Sequence, residues 1–128
     1  MNIELIKSSL SEAYPTWNIG DNDSCLVITN HDGITAYLAV SGSQIVVETL
    51  LFPVSKVSDK TALNTYILQT HKIIPLTTVG LSEVDNEWYY SAFGTLSSQS
   101  KLESVQIEVE TLFNNVSELI GMYEEFLI

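Results

Sequence analysis

A chain of 128 residues with five lysines, no arginine and sixteen carboxylates carries a net charge of −11 and a pI near 4.2. It lacks the cations that displace counterions from nucleic-acid phosphates or hold a protein to anionic lipid, so no nucleic acid and no direct membrane insertion are expected. The length sets an expectation of a single domain over 1–128, and 45% hydrophobic residues without a low-complexity tract are the composition of an ordered globule.

Taken in order, Ile3, Ile6, Leu10 and Ala13 recur at helical spacing behind Asn2, which predicts a first helix over 2–13. Pro15 disfavours helix at Tyr14 and closes it. Trp17 to Gly20 reads as a short strand or an extended lead-in, and Gly20-Asp21-Asn22-Asp23 as a turn. Leu26-Val27-Ile28 is a strand, and Asn30-His31-Asp32-Gly33 a tight turn with Gly33 at positive φ. Ile34–Val40 and Gln44–Phe52 are the next two strands, joined by Ser41-Gly42-Ser43. The second of them is apolar on both faces and therefore central, and the three make an antiparallel meander.

Ser58-Asp59 starts a second helix over 59–72, with Leu63, Tyr66, Ile67 and Thr70 on one face. His71 and Lys72 in its last turn suit the helix dipole, and Pro75 ends it. Leu76–Val84 and Trp88–Leu96 form a hairpin about Asp85-Asn86. From Leu102 to Phe126 the apolar positions Leu102, Val105, Val109, Leu112, Val116, Leu119, Tyr123 and Phe126 step by three and four. This is a long amphipathic helix whose stripe is widened by Phe113, Ile120 and Leu127, with Ser100 and Glu103 fitting a capping box. The order α-β-β-β-α-β-β-α predicts an α+β fold with a five-stranded antiparallel sheet that takes most of the stripe.

Catalytic patterns are absent, so no enzyme is expected. His31-Asp32 is the one adjacent base–acid pair, and neighbours on a tight turn do not orient each other as a dyad. Two histidines and one cysteine far apart give no zinc spacing. Asp21-Asn22-Asp23 opens like a calcium loop, yet Leu26 stands where that loop needs glycine. No cofactor and no metal are expected. Cys25, the single cysteine, excludes an internal disulfide and reads as a core residue. Met1-Asn2-Ile3-Glu4 lacks a basic n-region and no apolar run nears membrane-spanning length, so a cytoplasmic location is expected.

What remains for function is contact surface. Alternation along Trp88-Tyr89-Tyr90 puts a ring on each face of its strand, and these three with Tyr66 are the candidate partner-binding residues. Packing the final helix on its own sheet is the first reading of its stripe, and its strict step also allows part of it to serve a subunit interface.

The segments Leu50-Leu51-Phe52-Pro53-Val54, Leu63-Asn64, Thr70-His71-Lys72, Pro75-Leu76, Ala92-Phe93-Gly94, Lys101-Leu102-Glu103 and Glu108-Val109-Glu110-Thr111-Leu112 resemble the YjfI-like family, a small bacterial cytoplasmic family without an established activity. The resemblance covers nearly the whole chain, most strongly about 45–115. It implies a gene setting beside phage-shock-type, membrane-associated coiled-coil proteins, hence a role near envelope stress with such a protein as partner. The architecture is also similar to class I type III secretion chaperones and the YbjN-like proteins that share their fold, which implies a dimeric, non-enzymatic binder of other polypeptides. The expectation is thus an acidic, chaperone-like or adaptor protein-binding module. The alternative is a small-ligand-binding protein or enzyme with an unrecognised site.

Overall fold

The computed structural model describes residues 2–128 as three helices on one face of a six-stranded, all-antiparallel sheet. The elements run α1 (Ile3–Ala13), β1 (Asn18–Asn22), β2 (Cys25–Thr29), β3 (Thr35–Ser41), β4 (Gln44–Pro53), α2 (Lys60–Thr70), β5 (Thr78–Val84), β6 (Glu87–Ser97) and α3 (Leu102–Tyr123). Short 3-10 turns follow β4, α2 and α3. The strand order is β1-β2-β3-β4-β6-β5.

The expected sheet had five strands; the sixth is β1. It pairs along its whole length with β2, from Asn18 opposite Thr29 to Asn22 opposite Cys25. The turn predicted at Gly20–Asp23 shrinks to Asp23-Ser24, where Asp23 takes φ 56°. An edge strand needs no apolar run, so its Asn, Gly and Asp composition disguises it.

Two helix boundaries also differ from expectation. The second helix ends at Thr70, because His71–Ile73 tightens into a 3-10 turn. Asp59 is its cap, accepting from the Ala62 N–H at 3.1 Å. For the last helix, Lys101 rather than Ser100 takes the cap position and makes no side-chain bond there. Ser100 is held instead in a turn, its N–H donating to the Ser97 carbonyl. Asn2 caps α1 as expected, accepting from Leu5 N–H at 2.9 Å. The β5–β6 turn places Asp85 and Asn86 at φ 51° and 65°, the left-handed pair that matches strand twist in a two-residue hairpin.

The core lies between the sheet's inner face and the helices. Leu26, Leu38, Val47 and Ala92 from the strands meet Val105, Val109, Leu112, Val116, Leu119 and Tyr123 from α3. Ile6 and Leu10 of α1 and Leu63 and Ile67 of α2 complete it. The stripe of α3 is therefore largely intramolecular, although Ile120 stays outside. The chain end fastens α3 to the entry of α2. Ile128 N–H donates to the Lys56 carbonyl at 2.8 Å and Ser58 N–H to the Phe126 carbonyl at 2.9 Å.

One residue in the stripe does not fit. Glu108 is 6% exposed, and its Oε2 has no hydrogen-bond partner. It lies over Gly94 of β6, where a Cβ would collide with the carboxylate. Burial pushes its carboxyl above the usual range. A carboxyl raised on folding contributes stability below its unfolded value and loses it as pH rises through the folded one. Replacing Glu108 by Met should therefore stabilise the protein at pH 7.5 by about 1–2 kcal/mol, the order of an unsatisfied buried group. The gain should shrink by pH 5. Urea unfolding at the two pH values measures it; equal gains at both would refute ionisation as the cause.

Candidate functional site

The surface departs from an ordinary polar exterior beside α2. Leu68, on the outward side of that helix, is 79% exposed, and Leu81 of β5 is 50% exposed. Between them Asn64, Ile67, Val79, Gly80 and Tyr90 floor a groove of about 340 Å³. Ile73 and Leu76, in the connection from α2 to β5, are exposed as well. Leu76 takes φ 64° there, a conformation a branched side chain adopts only under constraint. The buried Asn115 of α3 supplies part of that constraint, donating Nδ2 to the Pro75 carbonyl at 2.8 Å and to Thr77 Oγ1 at 2.7 Å.

β5 is also an outer strand of the sheet. The Val79 N–H turns away from β6 and donates to His71 Nε2 at 3.0 Å. His71 thus has a task the sequence did not disclose: its neutral nitrogen covers the first outward amide of the edge. Antiparallel alternation turns the N–H and C=O of Leu81 and Glu83 outward too. At the opposite edge β1 is short and polar, with Asp21 paired to Lys7 at 2.8 Å, a blunted edge.

Charge is unevenly spread around the groove. Residues 53–82 hold three of the five lysines, Lys56, Lys60 and Lys72, and only one carboxylate, Asp59. The β5–β6 hairpin on the other flank carries Glu83, Asp85 and Glu87. By sequence, the α2 side of the groove is thus richer in lysine and the hairpin side richer in carboxylates.

The four aromatics singled out from sequence do not form one patch. Tyr90 is 2% exposed and belongs to the core, its ring tilted against Phe52 at a centroid distance of 5.4 Å, with its hydroxyl donating to Asn64 Oδ1 at 2.6 Å. It is therefore not open to a partner. Tyr66 is half-buried against Tyr123 and Phe126, with ring centroids 6.1 and 5.3 Å away. Tyr89 is half-buried opposite Ser82, and Trp88, 49% exposed, stands opposite Glu83 on the other side of the hairpin. Trp17 is a brace, stacked on Tyr14 at 3.8 Å and edge-on to Phe113 at 5.1 Å. The Tyr14 hydroxyl donates to Glu110 at 2.5 Å, and desolvation followed by that carboxylate pushes the phenol up to about 12.

Sequence reasoning missed Leu68, Ile73, Leu76 and Leu81. Leu68 did carry a signal, because it lies off the buried Leu63–Ile67 face of its own helix.

His31 and Asp32 are 3.5 Å apart with both side chains 68% exposed. Among the described residues no three His, Cys, Asp or Glu side chains converge as metal ligands. No helix in this set is long and apolar enough to cross a membrane. Burial pushes the Cys25 thiol up, away from a reactive thiolate.

A flank of three helices on one face of a meander sheet is shared with solved proteins. The chain superposes on YbjN from E. coli with a TM-score of 0.75 at 15% identity, covering all of this chain and 96% of that one. It superposes on a chain of the HopA1–SchA chaperone–effector complex with a TM-score of 0.66 at 13% identity, covering 90% of each. A chain of the ExsC–ExsE complex gives 0.64 at 9%, covering 99% and 97%. At these identities the likeness shows the fold alone: α+β, as in YbjN and the superposed chains of those two complexes.

The sequence narrows this further. The profile of DUF2170, described as an uncharacterized protein conserved in bacteria, matches residues 3–127, and the chain belongs to that family. It is 32% identical over 111 residues to the uncharacterized protein YjfI of Escherichia coli K12, covering 85% of this chain and 84% of that protein, and equally similar to YjfI of the O157:H7 strain.

The Tyr90–Asn64 bond is the polar link between α2 and the sheet beneath the groove. Tyr90→Phe should cost about 1 kcal/mol without changing the fold, the net worth of one such bond. Thermal unfolding followed by circular dichroism checks it.

Proposed function

We propose that this protein is a non-enzymatic, acidic protein-binding module, an adaptor or chaperone-like protein of the cytoplasm that works as a homodimer. The observation that carries the reading is the apolar groove of Leu68 and Leu81, exposed on a chain that carries sixteen carboxylates. Exposed apolar grooves rimmed by polar residues mark protein contacts.

The groove's borders favour a second copy as its occupant. A two-fold interface must be self-complementary, each patch meeting itself. Here a two-fold axis through the groove brings the lysine border of one copy to the Glu83–Glu87 border of the other, with Leu68 and Leu81 packed between. The other surfaces then face the partner polypeptide. The likeness of the family's gene setting nominates a phage-shock-type coiled-coil protein for that place, and calorimetric titration with the purified protein tests the nomination.

Multi-angle light scattering should give twice the monomer mass at micromolar concentration. Leu68→Asp combined with Leu81→Asp should halve that mass, leave the circular dichroism unchanged, and shift the dimer dissociation constant at least a hundredfold. A strictly monomeric wild type would refute the self-association.

A further inference from the structure

The helices cover one face of the sheet and leave the other without a covering element. Strand register places a row across this open face, Val27–Tyr37–Glu48–Phe93–Thr78, one residue from each of β2, β3, β4, β6 and β5. Its neighbours are Ala39, Val46 and Leu50, so the middle of the face is apolar. Of all the residues the register puts on it, only Glu48 and, out at the hairpin rim, Glu87 are charged. A chain of −11 has thus kept one carboxylate at the centre of an otherwise uncharged surface.

That carboxylate is held in place. Ser82 Oγ donates to Glu48 Oε2 at 2.5 Å. Ser91, fully buried, lies 3.0 Å from Ser82 Oγ. The single Ser82 hydroxyl hydrogen is committed to Glu48, so Ser91 is the donor of the second bond. Two hydroxyls in series therefore orient one oxygen, while Oε1 has no hydrogen-bond partner among the described residues. Tyr37, Leu50 and Val84 stand around Glu48 and form with it a hollow of about 360 Å³. The Tyr37 ring is 45% exposed.

We infer that this open face docks an extended segment of a partner polypeptide bearing a lysine or arginine among apolar residues, with the cation seated on Glu48 in the hollow. The inference rests on the protein-binding reading and gives it a partner chemistry. An apolar cover alone would strand the half-buried carboxylate without compensation. A cation completes it, and the Tyr37 ring adds the attraction of an aromatic face for positive charge. A lysine or arginine also brings a long apolar stem that suits Leu50 and Val84. A second copy does not fit, because a two-fold axis through the face sets one Glu48 against the other. Alternate residues of the segment would lie on Val27, Val46 and Phe93.

Selection of a random dodecapeptide display library on the immobilised protein tests this, followed by calorimetric titration of the selected peptides. The expected outcome is enrichment of one Lys or Arg flanked by apolar residues. Affinity should fall at least tenfold with Glu48→Gln, which keeps an acceptor for Ser82, and two- to fivefold with Ser82→Ala. Glu87→Gln should change it by less than twofold. Selected peptides without a cation, or indifferent to Glu48→Gln but lost with Leu68→Asp, would overturn the inference and leave a protein-binding module intact. A wild-type dimer that dissociates on Val27→Lys would make a second copy the occupant and overturn it too. Failure to select any peptide on either surface would overturn both readings.

Discussion

The structure depends on one contact, the stripe of α3 laid across the inner face of the sheet. Val105, Val109, Leu112, Val116, Leu119 and Tyr123 are all within 2% of full burial there. Burial of a side chain of this size contributes about 1.5–3 kcal/mol relative to exposure, so no other element bears comparable weight. The strands beneath are mutually satisfied through the ladder, but a single sheet has no stability of its own until one face is dry. α1 packs on α3 and the first strands, and α2 is roped to the end of α3 through Ser58, Lys56 and Ile128. Because all this covering falls on one side, the other side of the sheet stays available.

The function argued for follows from that asymmetry and from charge. Sixteen carboxylates keep the molecule dispersed, and they also define where association is tolerated. Two regions escape them: the groove beside α2, where lysines gather, and the open sheet face, where a single fixed carboxylate remains. The first is suited to self-complementary docking and the second is not. Two surfaces of such different chemistry would not compete for one occupant.

Much of the fold was legible because it rests on periodicity. The three-and-four step of the last helix and the hairpin at Asp85-Asn86 are local signals, and both stand in the structure. β1 was hidden because an edge strand is stabilised by backbone pairing that leaves little trace in side-chain composition. Ser100 was misassigned as a cap because a turn with Ser97 competes for the same residue. The binding surfaces were less legible. Tyr90 looked like contact surface, but its side of the strand lies under α2, a fact that depends on crossover geometry. His71 looked like a helix-end charge, while its nitrogen serves an amide eight residues on. Glu48 looked like any strand glutamate until the register brought Ser82 and Ser91 beside it.

The shield that His71 provides over Val79 also governs how tenacious an assembly at this edge can be. Beyond the Val79 carbonyl, only Leu81 and Glu83 are left to offer main-chain groups outward, so a joined ladder would gain few bonds, each worth about 0.5–1.5 kcal/mol. Grip must come from side chains, whose loss on separation is not cooperative along a strand. Contacts made by side chains alone offer a fibre no continuous ladder to template.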